Sequence, residues 1–388
     1  MTMKLKHLFQ LVAVFLAAAR ALALNIPSDG SDGDFHPTGD IVVDLGLAPT
    51  GSWNDNNAAN AGKGVYDPNK WAVVFKYNSV TIPSGVKVTF INNKTHAPVV
   101  WLVKENVQID GTVSVAGSAI SSSAVSRLTP PEPGPGGFRG GAEGVIGRGL
   151  GYGIGGSAGQ WGVFGAYASV YGNPQLIPLI GGSGSHGGED LFGSRGGSGG
   201  GAILIAAAGS VSVSGKVEAN GGGVGSGGAV RVIGQIVSGL GQITALGHGG
   251  LGDGRIRIET PALASTLRTA PETIAVTPPT NPIIWPADDA PTVRVLTVDG
   301  QATPDDPTAP VVSTSDVAVQ NNGTVQVVLE TKNFPIQGVV QLRTVQKYGP
   351  AAWVNAAYSA GNFGRSTWIA NVTFAPGFTT LQARATVP

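Results

Sequence analysis

The sequence has no cysteine among its 388 residues. Disulfides therefore cannot stabilise the fold, and thiol nucleophiles, cysteine-bound zinc and iron–sulfur clusters are excluded. Histidine is scarce as well, and the four beyond residue 23 lack the HxH or HxxxH spacing of a transition-metal site. They are His36, His96, His186 and His248. We therefore expect no metal site and no cofactor.

Charge is the second deficit, because only 12% of the residues are charged, against about 25% in an average protein. The 24 lysines and arginines balance the 24 aspartates and glutamates, so no global field attracts nucleic acid or an anionic membrane. A chain with 42% hydrophobic residues and zero net charge is not disordered. The 60 glycines do not recur at every third position, which excludes collagen.

Long apolar runs are missing too. The longest, residues 8–19, is short of the ~20 residues that a membrane span needs. It follows Lys4 and Lys6 and precedes Ala21-Leu22-Ala23, which predicts a signal peptide over residues 1–23. The alternative is an uncleaved anchor. No other segment could span a bilayer, so we expect a secreted product without a transmembrane segment, extracellular or on the cell surface.

Composition divides the rest of the chain into three parts. Residues 24–260 combine β-branched alternation with glycine blocks, residues 261–290 form a proline-rich linker, and residues 291–388 return to alternation. Six or seven short strands with turn signals such as Asn321-Asn322-Gly323 predict an immunoglobulin-like β-sandwich (Ig-like domain) at the C-terminal end. Helix should be scarce, because no segment beyond the signal has a 3.6-residue period.

An internal repeat predicts the architecture of residues 24–260. Residues 107–117, VQIDGTVSVAG, align with residues 211–221, VSVSGKVEANG, and residues 241–247 repeat the second half. Gly215 and Gly241 stand 26 residues apart, about one coil of a wide solenoid. The prediction is an all-β protein whose glycine-rich domain is a right-handed parallel β-helix, or β-solenoid, with stacked coils. A closed sandwich or barrel is the competing fold.

A long insertion, residues 118–200, separates the first two copies of the repeat. Its glycine blocks are typical of a flexible linker, but aromatic and aliphatic residues are threaded through them. We therefore expect extended glycine segments that pack on one another and on the solenoid, since residues without side chains let backbones approach closely.

These features resemble two groups of proteins. The opening SDGSDGDF of residues 28–35, the repeat units, the glycine blocks and the ILI strand at residues 203–205 look like secreted bacterial glycine-rich β-solenoid proteins. They are also similar to glycine-rich phage tail adhesins. The resemblance covers residues 28–260, implies a structural or adhesive role, and supplies no catalytic residue. The aromatic insertion and the appended sandwich depart from both groups.

One charged cluster in the insertion is the candidate for catalysis. His186, Glu189, Asp190 and Arg195 stand within an otherwise uncharged region. A base beside carboxylates could serve glycan hydrolysis or β-elimination. Consecutive residues of an extended chain point in different directions, however, so a solvated turn is the favoured interpretation.

The aromatic residues of the insertion are the candidate for binding. They could form a stacking surface for sugar rings, or cover the glycine segments as a small additional core, which is the favoured alternative. They are Tyr152, Trp161, Phe164, Tyr167 and Tyr171. A calcium loop at Asp29, Asp32 and Asp34 is disfavoured, because the spacing breaks the required register.

Together these observations predict an exported, non-enzymatic structural or adhesive surface protein, with polysaccharide or matrix components as candidate partners and self-association as a further option. The alternative is a polysaccharide lyase or glycoside hydrolase on the same β-helix.

Overall fold

The computed structural model describes residues 24–55, 58–118, 131–140, 153, 174–185, 196–247, 252–263, 266–304, 316–321, 323–346, 353–376 and 379–387. Regular structure in these ranges is β-strand apart from two short 3-10 helices, Leu45–Leu47 and Ala58–Asn60. The all-β character predicted from the sequence is confirmed.

Three sheets, almost wholly parallel, are built from the first seventeen strands. These are β1 Ile41–Asp44, β2 Val65–Asp67, β3 Ala72–Tyr77, β4 Val80–Ile82, β5 Lys87–Ile91, β6 Val99–Val103, β7 Val107–Ile109, β8 Thr112–Ser114, β9 Ala202–Ala207, β10 Ser210–Val213, β11 Lys216–Glu218, β12 Ala229–Ile233, β13 Ile236–Ser238, β14 Gln242–Thr244, β15 Arg255–Glu259, β16 Ala262–Leu263 and β17 Arg268–Ala270. The sheet orders are β1-β5-β8-β11-β14-β17, β16-β13-β10-β7-β4 and β15-β12-β9-β6-β3-β2. Among these seventeen described strands, only β2 runs antiparallel to its neighbour.

From β3 onward the chain visits the three sheets in a fixed rotation, and each strand pairs with its equivalent one unit later. The pairs that the repeat predicts are present: Val107 opposes Val211, and Val217 lies between Val113 and Ile243. Strands β3 to β5 form an earlier unit, which the repeat recognised in the sequence does not include. The last unit begins with β15 and is completed by β16 and β17. Both strands lie inside the range 261–290, predicted as a linker.

The interior is a set of side-chain ladders that run across the strands. One ladder crosses five strands of the third sheet and is buried throughout. Its members are Val73, Val99, Ile203, Val230 and Ile256. The outer face of this sheet is also covered, by Leu24, Ile26 and Ile284 among others. Strands covered on both faces need continuous apolar runs, which explains the five buried residues of β6.

The glycine segments pack by backbone contact beside these sheets. Three consecutive residues donate to three different neighbours, since Gly199, Gly200 and Gly201 bond the carbonyl oxygens of Phe138, Ser226 and Val115. The backbone N–H groups of successive residues thus point in three different directions. This is typical of extended chains with three residues per turn and not of a β-ladder. A Cβ at Gly228 would overlap the carbonyl oxygen of Gly201. The close backbone packing expected for these segments is therefore present in their described part.

The C-terminal strands form one curled antiparallel sheet. They are β18 Thr292–Val298, β19 Gln301–Ala302, β20 Thr324–Lys332, β21 Val339–Gln346, β22 Trp353–Gly361, β23 Arg365–Thr373 and β24 Thr379–Thr386, in the order β19-β18-β20-β23-β22-β21-β24. Bulges lie between Val295 and Thr297 and between Tyr358 and Ala360. Because bulges bend strands, the sheet curls around its own core, with Leu329, Leu342 and Trp368 inside.

Candidate functional site

The outer surface of β21, β22 and β24 carries an aromatic ring, two guanidinium groups and two amides. Strand register places Trp353 opposite Arg343, and Gln341 between Asn355 and Arg384. Side chains alternate along a strand, and the intervening Val340, Leu342 and Ala356 are buried in the core. We call the five residues Gln341, Arg343, Trp353, Asn355 and Arg384 the C-terminal face.

The side chains of the C-terminal face hold one another in place. The guanidinium carbon of Arg384 lies 4.1 Å from the centroid of the Trp353 ring, within cation–π range. Arg384 Nε donates to Gln341 Oε1 over 2.7 Å, and Gln341 Nε2 donates to Asn355 Oδ1 over 2.7 Å. Within the described chain, these bonds leave the terminal nitrogens of Arg384 and the amide nitrogen of Asn355 without an acceptor. The face thus presents oriented donors beside a ring.

One edge of the C-terminal face is in contact with the insertion. Arg343 Nη1 donates to Gln382 Oε1 over 3.3 Å, and Gln382 Nε2 donates to the carbonyl oxygen of Gly153 over 3.2 Å. Gln382 is buried, whereas Asn355 and Arg384 are exposed. The exposed part of the face is therefore the end that holds these two residues.

The segment that carries the C-terminal face contains charges of one sign only. Residues 331–388 contain five basic residues, Lys332, Arg343, Lys347, Arg365 and Arg384, and no acidic residue. Glu330, just before this segment, is 1% exposed and bound by Arg294 and Arg365. The segment is thus cationic in a chain whose total charge is zero. No general acid or base stands among the five residues of the face, so the arrangement is suited to binding rather than to proton transfer.

A second polar cluster joins the start of the insertion to the turn before β6. His96 Nε2 is 2.9 Å from Glu132 Oε1, and Arg139 Nη2 is 2.5 Å from Glu132 Oε2. Asn92 Nδ2 donates to Glu132 Oε1 over 3.0 Å. Burial raises the pKa of Glu132, but the hydrogen bonds from His96 and Asn92 and the charge of Arg139 outweigh it and hold the pKa below its usual value.

This cluster has the geometry of an anchor. The His96 side chain is only 4% exposed, so it has little access to a substrate. Glu132 is the one carboxylate that His96 and Arg139 contact in the described chain, whereas glycoside hydrolysis uses two that are about 5–9.5 Å apart. Residues 131–140 are instead fixed to the parallel sheets by a partly buried ionic contact.

Most of the residues singled out from the sequence fall outside the part of the chain that the structure describes. The candidate catalytic residues His186, Glu189, Asp190 and Arg195 lie outside the described residues, and so do all five aromatic binding candidates. These are Tyr152, Trp161, Phe164, Tyr167 and Tyr171.

The aspartates considered for calcium point to separate partners. Asp29 bonds Lys76 Nζ, Asp32 accepts from the backbone of Gly62 and Lys76, and Asp34 accepts from Asn78 and Ser79. Each carboxylate thus has protein donors of its own. In the described ranges, no group of three or more histidines, aspartates and glutamates is arranged to hold a metal ion.

The sequence analysis missed the C-terminal face, although one signal for it was available. The absence of acid after Glu330 is readable from the sequence. That Gln341 lies between Asn355 and Arg384 is not, because register in an antiparallel sheet depends on distant parts of the chain.

Comparisons with protein-family models, with curated proteins and with solved structures found no match to this chain. The ranges that the structure describes contain no helix of the length and apolarity needed to cross a membrane.

Proposed function

We propose that this protein is an exported, non-enzymatic adhesive component of a cell surface or extracellular matrix, and that its C-terminal face binds an acidic polysaccharide. The observation that carries the proposal is the juxtaposition of Trp353 and Arg384 with Gln341 and Asn355 on an acid-free segment. The ring offers an apolar surface to a sugar ring. The amides both donate to and accept from hydroxyl groups, and the guanidinium groups pair with carboxylates.

The proposed scaffold is a glycine-rich right-handed parallel β-helix followed by an immunoglobulin-like domain. The support for the β-helix is the fixed rotation of the chain through three parallel sheets and the pairing of equivalent strands. The support for the second domain is the curled antiparallel sheet around a single core. A stack of coils with few charges is suited to a structural part that presents a binding module.

A polysaccharide fits the face better than nucleic acid does. Nucleic acid binding draws most of its affinity from many phosphate contacts, whereas the face offers two guanidinium groups, Arg343 and Arg384, the first of which is bonded to Gln382. The hydrogen-bonded pair of amides suits a hydroxyl-rich ligand of moderate charge density.

The test is retention of the full mature chain on immobilised polygalacturonate, with neutral dextran as the control polymer. We expect Trp353→Ala and Arg384→Gln each to weaken retention about tenfold or more, as loss of a central aromatic or arginine contact does. The matched control is Arg268→Gln, an exposed arginine on β17, which should retain wild-type binding. Equal retention of all variants, or equal binding to dextran, would refute the proposal.

The same polymers test the enzymatic alternative. Release of new reducing ends or unsaturated products, abolished by Glu189→Gln or Asp190→Asn, would show a hydrolase or lyase and overturn the non-enzymatic assignment. Export is tested separately by sequencing the N-terminus of the secreted product. Cleavage after residue 23 leaves Leu24 as the first residue, and recovery of the chain only in the cytoplasm would contradict the proposal.

A further inference from the structure

The edges of the three parallel sheets are covered unequally by the rest of the chain. Single residues form bridges on the free sides of three edge strands: Phe35 on β4, Thr50 on β2 and Val276 on β15. In the part of the chain that the structure describes, no strand or bridge lies on the free side of β1, β16 or β17. Of the three sheets, the first, which runs from β1 to β17, is therefore the one that is open at both edges within the described chain.

The strand at one of these open edges, β1, lacks the usual protection against pairing with another chain. A free edge presents backbone N–H and C=O groups to any further strand, and proteins commonly block such edges with lysine or proline. β1 has the sequence IVVD, with neither residue. Its outward side chain Val42 is 58% exposed, and Leu47, just beyond the strand, is 70% exposed. β1 is thus an apolar edge that remains able to pair with a further strand.

The two open edges of the first sheet are compatible in direction. Every neighbouring pair of strands from β1 to β17 is parallel. β1 of a second copy could therefore follow β17 as a seventh parallel strand, in the same way that each strand of the sheet follows the one before. Such a contact joins two different surfaces, so it leaves an open edge at each end for further copies.

The register of the sheet brings opposite charges together in such a contact. The residues aligned with Ile41 across the sheet include Val88 and, at the far edge, Thr269. A second copy in this register would place its Ile41 opposite Thr269 and its Asp40 opposite Arg268. Both charged side chains are exposed, and neither forms an ion pair with another described residue. Opposite charges on neighbouring strands stabilise their pairing.

The β17 end of the stack also leaves part of the apolar interior uncovered. Leu263 of β16 continues the ladder of Val107, Val211 and Val237. Those three residues are at most 1% exposed, whereas Leu263 is 44% exposed. A further layer on this end would bury Leu263 as the preceding layers bury the valines, and burial of apolar surface favours association.

We propose that copies of this protein associate head to tail, with β1 of one copy pairing in parallel with β17 of the next. A second copy fits this edge because it supplies the strand direction, the register and the opposite charge together. Each contact adds the six strands of the first sheet, so copies should repeat about every 29 Å, at ~4.8 Å per strand. This association does not depend on polysaccharide binding by the C-terminal face.

The test is light scattering of the full mature chain during size-exclusion chromatography, over a range of protein concentrations. We expect the mass of the wild type to grow with concentration beyond that of a dimer, because a head-to-tail contact does not close. Asp40→Arg and Arg268→Asp should each weaken association about tenfold, since each places like charges in the contact. An equimolar mixture of the two variants should associate as the wild type does, because every contact between unlike copies again joins opposite charges.

Lys216→Glu is the matched control, because Lys216 is exposed in the middle of the same sheet and its reversal should leave association unchanged. Circular dichroism checks the fold of each variant, and if Asp40→Arg does not fold, Arg268→Asp and the control decide. Retention on polygalacturonate is measured at concentrations where the chain is monomeric, so that Arg268→Gln loses no contact there and the two proposals fail separately.

Four results would overturn the head-to-tail contact. The wild type stays monomeric at every concentration, its association stops at a dimer, Arg268→Asp associates as tightly as the wild type, or the mixture of two folded variants associates no better than either alone.

Discussion

At the scale of single residues, a few glycines set how closely the backbones approach. Gly228 illustrates this, because its added Cβ would overlap the carbonyl oxygen of Gly201 and would also meet Gly200. Both contacts are with backbone, which cannot rotate away as a side chain can. The glycine blocks are therefore required by packing and not by flexibility.

The substitution Gly228→Ala should destabilise the protein by about 3 kcal/mol, the upper end of the usual range for overpacking, because the contacts are with backbone. Thermal unfolding followed by circular dichroism measures the loss. Gly39→Ala is the matched control, because its Cβ would meet nothing within 4 Å, and its stability should stay within about 0.5 kcal/mol of the wild type. Equal melting temperatures for the two variants would contradict the packing role.

Glu330 is the residue whose protonation should affect stability. Burial raises the pKa of its carboxyl, but the hydrogen bond from Arg365 and the charges of Arg294 and Arg365 outweigh burial and hold the pKa below its usual value. A carboxyl whose pKa is lower in the folded than in the unfolded state stabilises the fold above the unfolded pKa. That contribution is lost as the pH falls through the folded value.

The double variant Arg294→Gln, Arg365→Gln should reverse this dependence. It leaves Glu330, 1% exposed, without its cationic partners, and an unpaired buried charge costs about 3–5 kcal/mol at neutral pH. Burial then dominates and raises the pKa, so the difference from the wild type should shrink below about pH 4. Chemical denaturation at neutral and acid pH measures it, and a difference that does not change with pH would refute the assignment.

At the scale of elements, the buried side-chain ladders stabilise the parallel sheets. Ile243 of β14 is fully buried between Val217 of β11 and Thr269 of β17. Its neighbour Gln242 points outward and is half-buried. Alternate residues of one short strand therefore contribute very differently to the free energy of unfolding.

The substitution Ile243→Ala should cost about 2–5 kcal/mol, the range for truncating a buried isoleucine. Gln242→Ala on the same strand should change stability by less than about 0.5 kcal/mol. Urea denaturation of both variants provides the comparison. Similar midpoints would mean that the ladder is not the source of stability.

The repeat could be recognised in the sequence because each unit places apolar residues at the same positions of a short motif. Val107 and Val211 occupy equivalent places in an eleven-residue motif, and they pair in the structure. The unit of β3 to β5 was not recognised, since its turn, Pro83-Ser84-Gly85, interrupts the motif that later units keep. The hydrogen bond from buried Arg231 to the carbonyl oxygen of Ile283 could not be predicted, because Ile283 belongs to a proline-rich segment without a periodic pattern.

At the scale of the whole molecule, parallel pairing joins distant parts of the chain. Val99 of β6 pairs with Ile203 of β9 across the entire insertion. The chain must close a loop of this length before β6 and β9 can form their stabilising contacts. Such sheets are therefore slow to fold. Without disulfides, no covalent link shortens the search.

Refolding from denaturant should therefore take about seconds or longer. Trp101 is a fully buried fluorescent probe on β6. The difference between the stopped-flow fluorescence traces of the wild type and of Trp101→Phe reports the burial of Trp101. Recovery of that difference within milliseconds would contradict a fold that waits for β6 to meet β9. The Trp368 signal, from the C-terminal sheet, serves as the internal comparison.

The rotation of the chain through three sheets has a consequence for how this protein can change over generations. Gly215 and Gly241 are 26 residues apart. Duplication of a stretch of that length would add one complete layer to the parallel sheets and lengthen the stack by about 4.8 Å. A partial duplication would put valines where solvent-facing residues belong. The length of the stack can therefore change during evolution only in steps of one complete layer.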